Sequence, residues 1–154
     1  CHMESPSYWR GYGMAWPGWQ DAPRDRFEGG ETAAELVIEF QDYASVFNPL
    51  GLCKFMCKGG IAPAHVTALL NAATGWEWTV EDLLAAGRRI FELKRRINLA
   101  LGITSEDDRL PSRLLTHPRP TGEAAGHLPD LDSMLDHYYR LRGWDTMGRP
   151  PENG

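Results

Sequence analysis

The chain has 154 residues, a formal charge of -5 and an apolar fraction of 42%. That length allows one domain with a sizeable core. The acidic balance excludes the basic stripe of a nucleic-acid surface, and no apolar run is long enough for a membrane span. Residues 1–30 come first and are rich in Gly, Pro, Trp and Tyr, as in Tyr8-Trp9-Arg10-Gly11-Tyr12-Gly13 and Trp16-Pro17-Gly18-Trp19. Such punctuation forbids a long helix. The rings have a large area to bury, so the expectation is an irregular, partly ordered segment that packs on another domain, closed by Gly29-Gly30.

From Glu31 to Phe47 the apolar residues Leu36, Val37, Phe40, Ala44 and Phe47 recur at helical steps, with acids near the start. Asn48-Pro49 should stop that helix. Pro63 suits a first helical position, and Val66, Leu69 and Leu70 form a stripe up to Gly75, predicting a helix over 62–74. Thr79-Val80-Glu81-Asp82 reads as a capping box with Asp in place of the usual Glu or Gln. It should open the longest helix, 79–101, stopped by Gly102. Within it, Arg88, Arg89, Lys94, Arg95 and Arg96 read as a solvated face. From Ile103 to Pro129 no period is sustained, and a loop of that length is unusual inside a domain. A last helix is expected over 130–142, ended by Gly143. No strand pattern or repeat stands out. The fold class is therefore all-α: a small irregular helical domain with long loops, spanning 31–154 behind the aromatic segment 1–30.

Chemistry concentrates at Asn48-Pro49-Leu50-Gly51-Leu52-Cys53. A helix end feeding a glycine turn leaves backbone groups free to meet a ligand, and a cysteine just beyond can bind iron or another soft metal. By residue type alone, Cys53 also reads as a buried thiol behaving as a small hydrophobe. Three cysteines, with Cys1 at the chain end, do not form a secreted disulfide framework and suit a reducing cytosol. Cys57 lies one helical turn past Cys53 and has the same two readings. His65, His117, His127 and His137 lack metal-ligand spacing. No nucleotide-binding loop or Ser/His/Asp set is present.

The Asn48–Cys53 stretch resembles the D-x-x-G-L-C segment of the tungsten-dependent aldehyde ferredoxin oxidoreductase family. Other blocks follow in the family's order. Phe40-Gln41-Asp42 resembles the helix leading into that segment, and Asn71-Ala72-Ala73-Thr74-Gly75 its N-A-x-T-G turn. Gly87-Arg88-Arg89-Ile90 with Arg96-Ile97-Asn98 is similar to the long helix after it. Asp107-Asp108-Arg109-Leu110-Pro111 and Leu135-Asp136-His137-Tyr138-Tyr139-Arg140-Leu141-Arg142-Gly143-Trp144-Asp145 match two further blocks. Cys1-His2 is similar to a G-C-H segment of the family, although His2-Met3 also reads as a cloning scar.

The resemblance implies the C-terminal, helical part of a larger enzyme. It implies a tungsten or molybdenum ion held by two pyranopterins, a small aldehyde as substrate, oxidation to the carboxylate, and electrons leaving through a [4Fe-4S] cluster to ferredoxin in an anaerobic cytoplasm. It makes Cys53 one cluster ligand, Asn48, Gly51 and Leu52 the pterin contact, and His2 an acid–base residue near the metal. The family has Asp where Asn48 stands. Asn keeps hydrogen-bonding capacity, adds donors and loses the charge. The remaining domains or subunit would supply the other ligands, and this part alone would be inactive and prone to self-association. Two other readings stand beside it: a non-catalytic helical binding module or split-gene subunit, and a related tungsten subunit acting on an aromatic thioester.

Overall fold

The computed structural model describes residues 30–53, 56 and 60–152. The aromatic segment, with His2, Trp9, Trp16 and Trp19, lies outside the described residues, as does Cys57. In chain order the elements are α1 (Glu31–Phe47), α2 (Pro63–Thr74), α3 (Val80–Ala100), a 3-10 turn (Ser105–Asp107), α4 (Ser112–Thr116) and α5 (Leu131–Arg142). Among the described residues there is no sheet, only an isolated bridge between Arg119 and Ala125. The all-α expectation holds, and the four expected helices stand within a residue of their expected bounds. The stretch expected to be loop from Ile103 to Pro129 also holds the 3-10 turn and α4.

Local sequence sets the helix starts. Pro63 is the first residue of α2, and the His65 Nδ1 accepts the Ala62 backbone N–H at 3.0 Å. At α3 the expected box is present: the Asp82 backbone N–H donates to Thr79 Oγ1 at 3.2 Å, and Asp82 Oδ2 accepts the Thr79 N–H at 2.9 Å. At α5 the Asp130 carboxylate accepts the Ser133 N–H at 3.3 Å.

The ends of α1, α3 and α5 share one device. After α1, the Gly51 N–H donates to the Asn48 carbonyl and the Leu52 N–H to that of Phe47. After α3, Gly102 and Ile103 make the same pair of bonds to Leu99 and Asn98. After α5, Gly143 and Trp144 make it to Arg140 and Tyr139. This is the Schellman arrangement, with an apolar residue following the glycine.

Asp82 ties one of these caps to pH. Hydrogen bonds from the Thr79 backbone and then the Thr79 side chain hold its carboxyl below the ordinary value of 3.8. A carboxylate whose folded pKa is depressed contributes stability that is present above the unfolded value and lost as pH falls through the folded one. Asp82→Asn should therefore lower the melting temperature at neutral pH and converge with the parent chain well below pH 3.8. Thermal unfolding followed by circular dichroism checks this, and a gap that persists in acid would contradict it.

The chain divides into two compact units, Leu36–Lys94 and a second made of 30–35 with 95–152. The first is built on Phe40, Tyr43, Val46 and Phe47 of α1, Val66 of α2 and Leu83 of α3, with Leu52, Ile61, Leu70, Leu84 and Ile90 packed around them. The Tyr43 and Phe47 rings meet edge-on at 4.8 Å, and the Tyr43 hydroxyl donates to the Ile61 carbonyl at 3.3 Å. Each such side chain contributes roughly 1.5–3 kcal/mol by leaving water. Where α1 passes α3, a Cβ on Gly87 would lie 1.9 Å from the Asp42 carbonyl oxygen. Only glycine lets the two backbones come that close.

The second unit is held by cations. Arg95 is not part of a solvated face, as its basic neighbourhood suggests; its side chain is 8% exposed. Its guanidinium bonds both oxygens of Asp108, at 2.9 and 2.6 Å, and its Nε donates to the Gly148 carbonyl at 2.8 Å. The Tyr139 hydroxyl donates to the same carboxylate at 2.5 Å. Burial, and then this bond to Asp108, push the Tyr139 phenol well above its ordinary range. Arg95 lies over the Trp144 ring at 5.5 Å. Arg142, fully buried, lies over the rings of Tyr138 and Trp144 at 5.4 and 5.9 Å. On the surface, Arg140 pairs with Glu31 at 2.8 Å. That hydrogen bond, then the cation's charge, hold the Glu31 carboxyl below its usual range.

Candidate functional site

The Asn48–Cys53 turn is the C-terminal cap of α1, and the cap explains its residue types. Gly51 takes φ +67°, which L side chains rarely adopt. Leu52 follows as the apolar residue of the motif and packs on the core that contains Phe47. Pro49 has no N–H to place, and the Leu50 N–H bonds the Val46 carbonyl at 3.1 Å. The chain is thus anchored up to Leu52, and the next residue is Cys53, whose thiol is free and exposed. The buried-thiol reading of Cys53 does not describe this structure.

Asn48 is exposed beside the end of α1. A helix C-terminus carries partial negative charge, so a neutral amide is better tolerated there than a carboxylate. The structure brings Asn48, Gly51, Leu52 and Cys53 together on one turn. His2 falls outside the described residues. Among the described residues, no group of three or more His, Cys, Asp or Glu side chains gathers as a metal site. No helix among them is long and apolar enough to cross a membrane.

Two other motif blocks hold the fold rather than a site. In Asn71–Gly75 the Asn71 side-chain amide accepts the Trp78 N–H at 3.0 Å and donates to the Trp78 carbonyl at 2.8 Å. Thr74 Oγ1 donates to the Leu70 carbonyl at 2.8 Å and accepts the Trp76 N–H at 3.2 Å. The block ties the α2–α3 connection into a rigid turn. In the Asp107–Asp108 block, Asp107 accepts the Thr104 N–H at 2.9 Å, and Asp108 receives Arg95 and Tyr139. Sequence reasoning missed that Arg95 and Asp108 belong together. Two opposite charges far apart in sequence were the only available signal.

Comparison with known proteins agrees with this motif order. The family model described as aldehyde ferredoxin oxidoreductase, domains 2 and 3, matches residues 1–153. The tungsten-containing aldehyde ferredoxin oxidoreductase of Pyrococcus horikoshii is 40% identical over 129 residues, covering 83% of this chain and 21% of the relative. Its namesake in Pyrococcus furiosus is 39% identical over the same shares. That of Thermococcus kodakarensis is 38% identical over 128 residues, 82% of this chain and 21% of the relative. The chain spans about a fifth of the length of the curated relatives it matches. With the family model covering the chain almost end to end, this protein belongs to the aldehyde ferredoxin oxidoreductase family, in the region of its domains 2 and 3.

Proposed function

We propose that the chain is the C-terminal part of a tungsten or molybdenum pterin oxidoreductase. The whole enzyme oxidises a small aldehyde to the carboxylate, takes the oxygen from water, and passes two electrons through a [4Fe-4S] cluster to ferredoxin in an anaerobic cytoplasm. The observation that carries this reading is the family match over residues 1–153, in a chain whose motif cysteine is exposed at an anchored turn.

The donor set fits a share of such a centre. A [4Fe-4S] cluster takes four thiolates. Cys53 is a soft, accessible donor and suits one of them; the others come from the rest of the enzyme. When bound, the metal–pterin group supplies two-electron redox chemistry at the aldehyde carbon. This chain's residues hold and orient. Cys53 holds the cluster. The N–H groups of Leu50, Gly51 and Leu52 are committed to the helix cap. The pterin contact therefore falls to the Asn48 amide, which both donates and accepts, and to carbonyl oxygens around Gly51 and Leu52. His2 acts as the acid–base group, imidazole being suited to proton transfer near neutral pH.

One thiolate cannot hold a cluster alone. The purified 154-residue chain should therefore show no aldehyde-dependent reduction of a viologen dye, and should bind neither tungsten nor a complete cluster. Assembled with the rest of the enzyme, it should support that reduction. Robust aldehyde oxidation by the isolated chain would overturn the reading.

A further inference from the structure

We propose that the outward face of α2 is the seat on which the rest of the enzyme polypeptide packs, through a permanent apolar interface. The inference rests on the reading of this chain as one part of a longer enzyme. Helix α2 contains no Asp, Glu, Lys or Arg. The chain is 24% charged, so twelve residues would ordinarily carry about three. Pro63, Val66 and Thr67 face inward and are buried. The opposite side presents Ala64, Ala68, Leu69, Ala72 and Ala73, all exposed and at three- and four-residue steps. His65 is turned back to its own helix start. Past the cap, Trp76 stacks on Trp78 at 4.9 Å and remains 49% exposed, while Leu69 is 57% exposed.

A surface helix ordinarily turns a charged or polar face to water, and the outward face of α2 has no charged residue. The exposed faces of α3 and α5 carry Glu81, Arg88, Arg89, Asp132, Asp136 and Arg140, and α3 mixes these with exposed Leu93 and Ile97; the outward face of α2 has no charge among its apolar residues. The alanines let a neighbouring backbone approach closely, and Leu69 and Trp76 supply bulky anchors of the kind that dominate interface energies. Interfaces of permanent assemblies resemble a core cut in half, and their centres are depleted of charge. An acidic carrier docking transiently would instead be met by cations, and α2 has none. The relatives are about five times as long as their match to this chain, which leaves ample polypeptide to cover the face.

The test is co-expression of the 154-residue chain with the remaining enzyme polypeptide carrying an affinity tag. The parent chain should be retained on the tagged piece. Ala68→Glu should cut retention by about tenfold or more, equivalent to about 1.4 kcal/mol. Leu69→Gln should do the same. Ala125→Glu, a matched change at an exposed position of the other unit, should retain fully. Circular dichroism melts of the free variants establish that they fold; should Ala68→Glu not fold, Leu69→Gln decides. If the folded α2 variants are retained as well as the parent, the inference is overturned and the proposed function stands. If the parent itself is not retained, the larger-enzyme reading falls, and the inference with it.

Discussion

Cys53→Ala in the assembled enzyme is expected to lower aldehyde-dependent dye reduction by about a hundredfold or more, because a ligand's loss should exceed the 10–100-fold typical of its outer-shell partners. The proposed role gives this its size. The thiol stands exposed one residue past a cap whose N–H groups are already bonded. Nothing within the cap depends on it, so its removal should leave the fold in place. The readouts are activity, the paramagnetic resonance signal of the reduced cluster, and the melting curve of the isolated chain. Loss of signal and activity with an unchanged melt is the expected pattern. Full activity with an unaltered cluster signal would remove Cys53 from the site.

Gly87→Ala should be among the most destabilising single-methyl additions available in this chain. At an ordinary exposed helix position the change gains up to about 1 kcal/mol. Here the new Cβ would sit 1.9 Å from a backbone oxygen of α1, which has no rotamer into which to swing. The helices must separate, which loosens the packing of Phe40, Tyr43, Val46 and Leu83. Overpacking of this kind costs about 1–3 kcal/mol and occasionally more, and a net loss near 3 kcal/mol is expected. Urea unfolding of the two chains measures it. Equal or greater stability in the alanine variant would mean that the helices do not cross this closely.

The four long helices were legible because their signals are local. Thr79 with Asp82, Pro63, Gly102 and Gly143 act within a turn of themselves, and the core stripes repeat at helical spacing. Helix α4 was not legible: its five residues bury no side chain, so they leave no periodic pattern. At the candidate site, the residue types of the turn pointed to a helix end, and the glycine and leucine then proved to be its cap. The exposure of Cys53 was not readable, because it depends on how the segment leaves the core. Helix α1 ends at Phe47, ahead of Asn48-Pro49 as expected, and Gly51, in its left-handed conformation, completes the cap. Arg95 was misread for a different reason. Its neighbours in sequence are basic, whereas its partners Asp108, Tyr139 and Gly148 are distant along the chain and meet it only when folded.

That meeting has a consequence for how the second unit comes apart. A guanidinium left inside the protein without its partners is costly, and breaking one side of such a buried pair typically costs about 3–5 kcal/mol. The Gly148 carbonyl is one of the acceptors, so the chain beyond α5 cannot peel away as an independent frayed end without leaving the buried Arg95 Nε unbonded. The Asp108 carboxylate accepts from both the Arg95 guanidinium and the Tyr139 hydroxyl, so neither Asp108 nor Tyr139 can leave without breaking that cluster. The segment around Gly148 and the middle of α5 should therefore open in one cooperative event, with backbone amide exchange near the chain end as slow as that of the helix it follows.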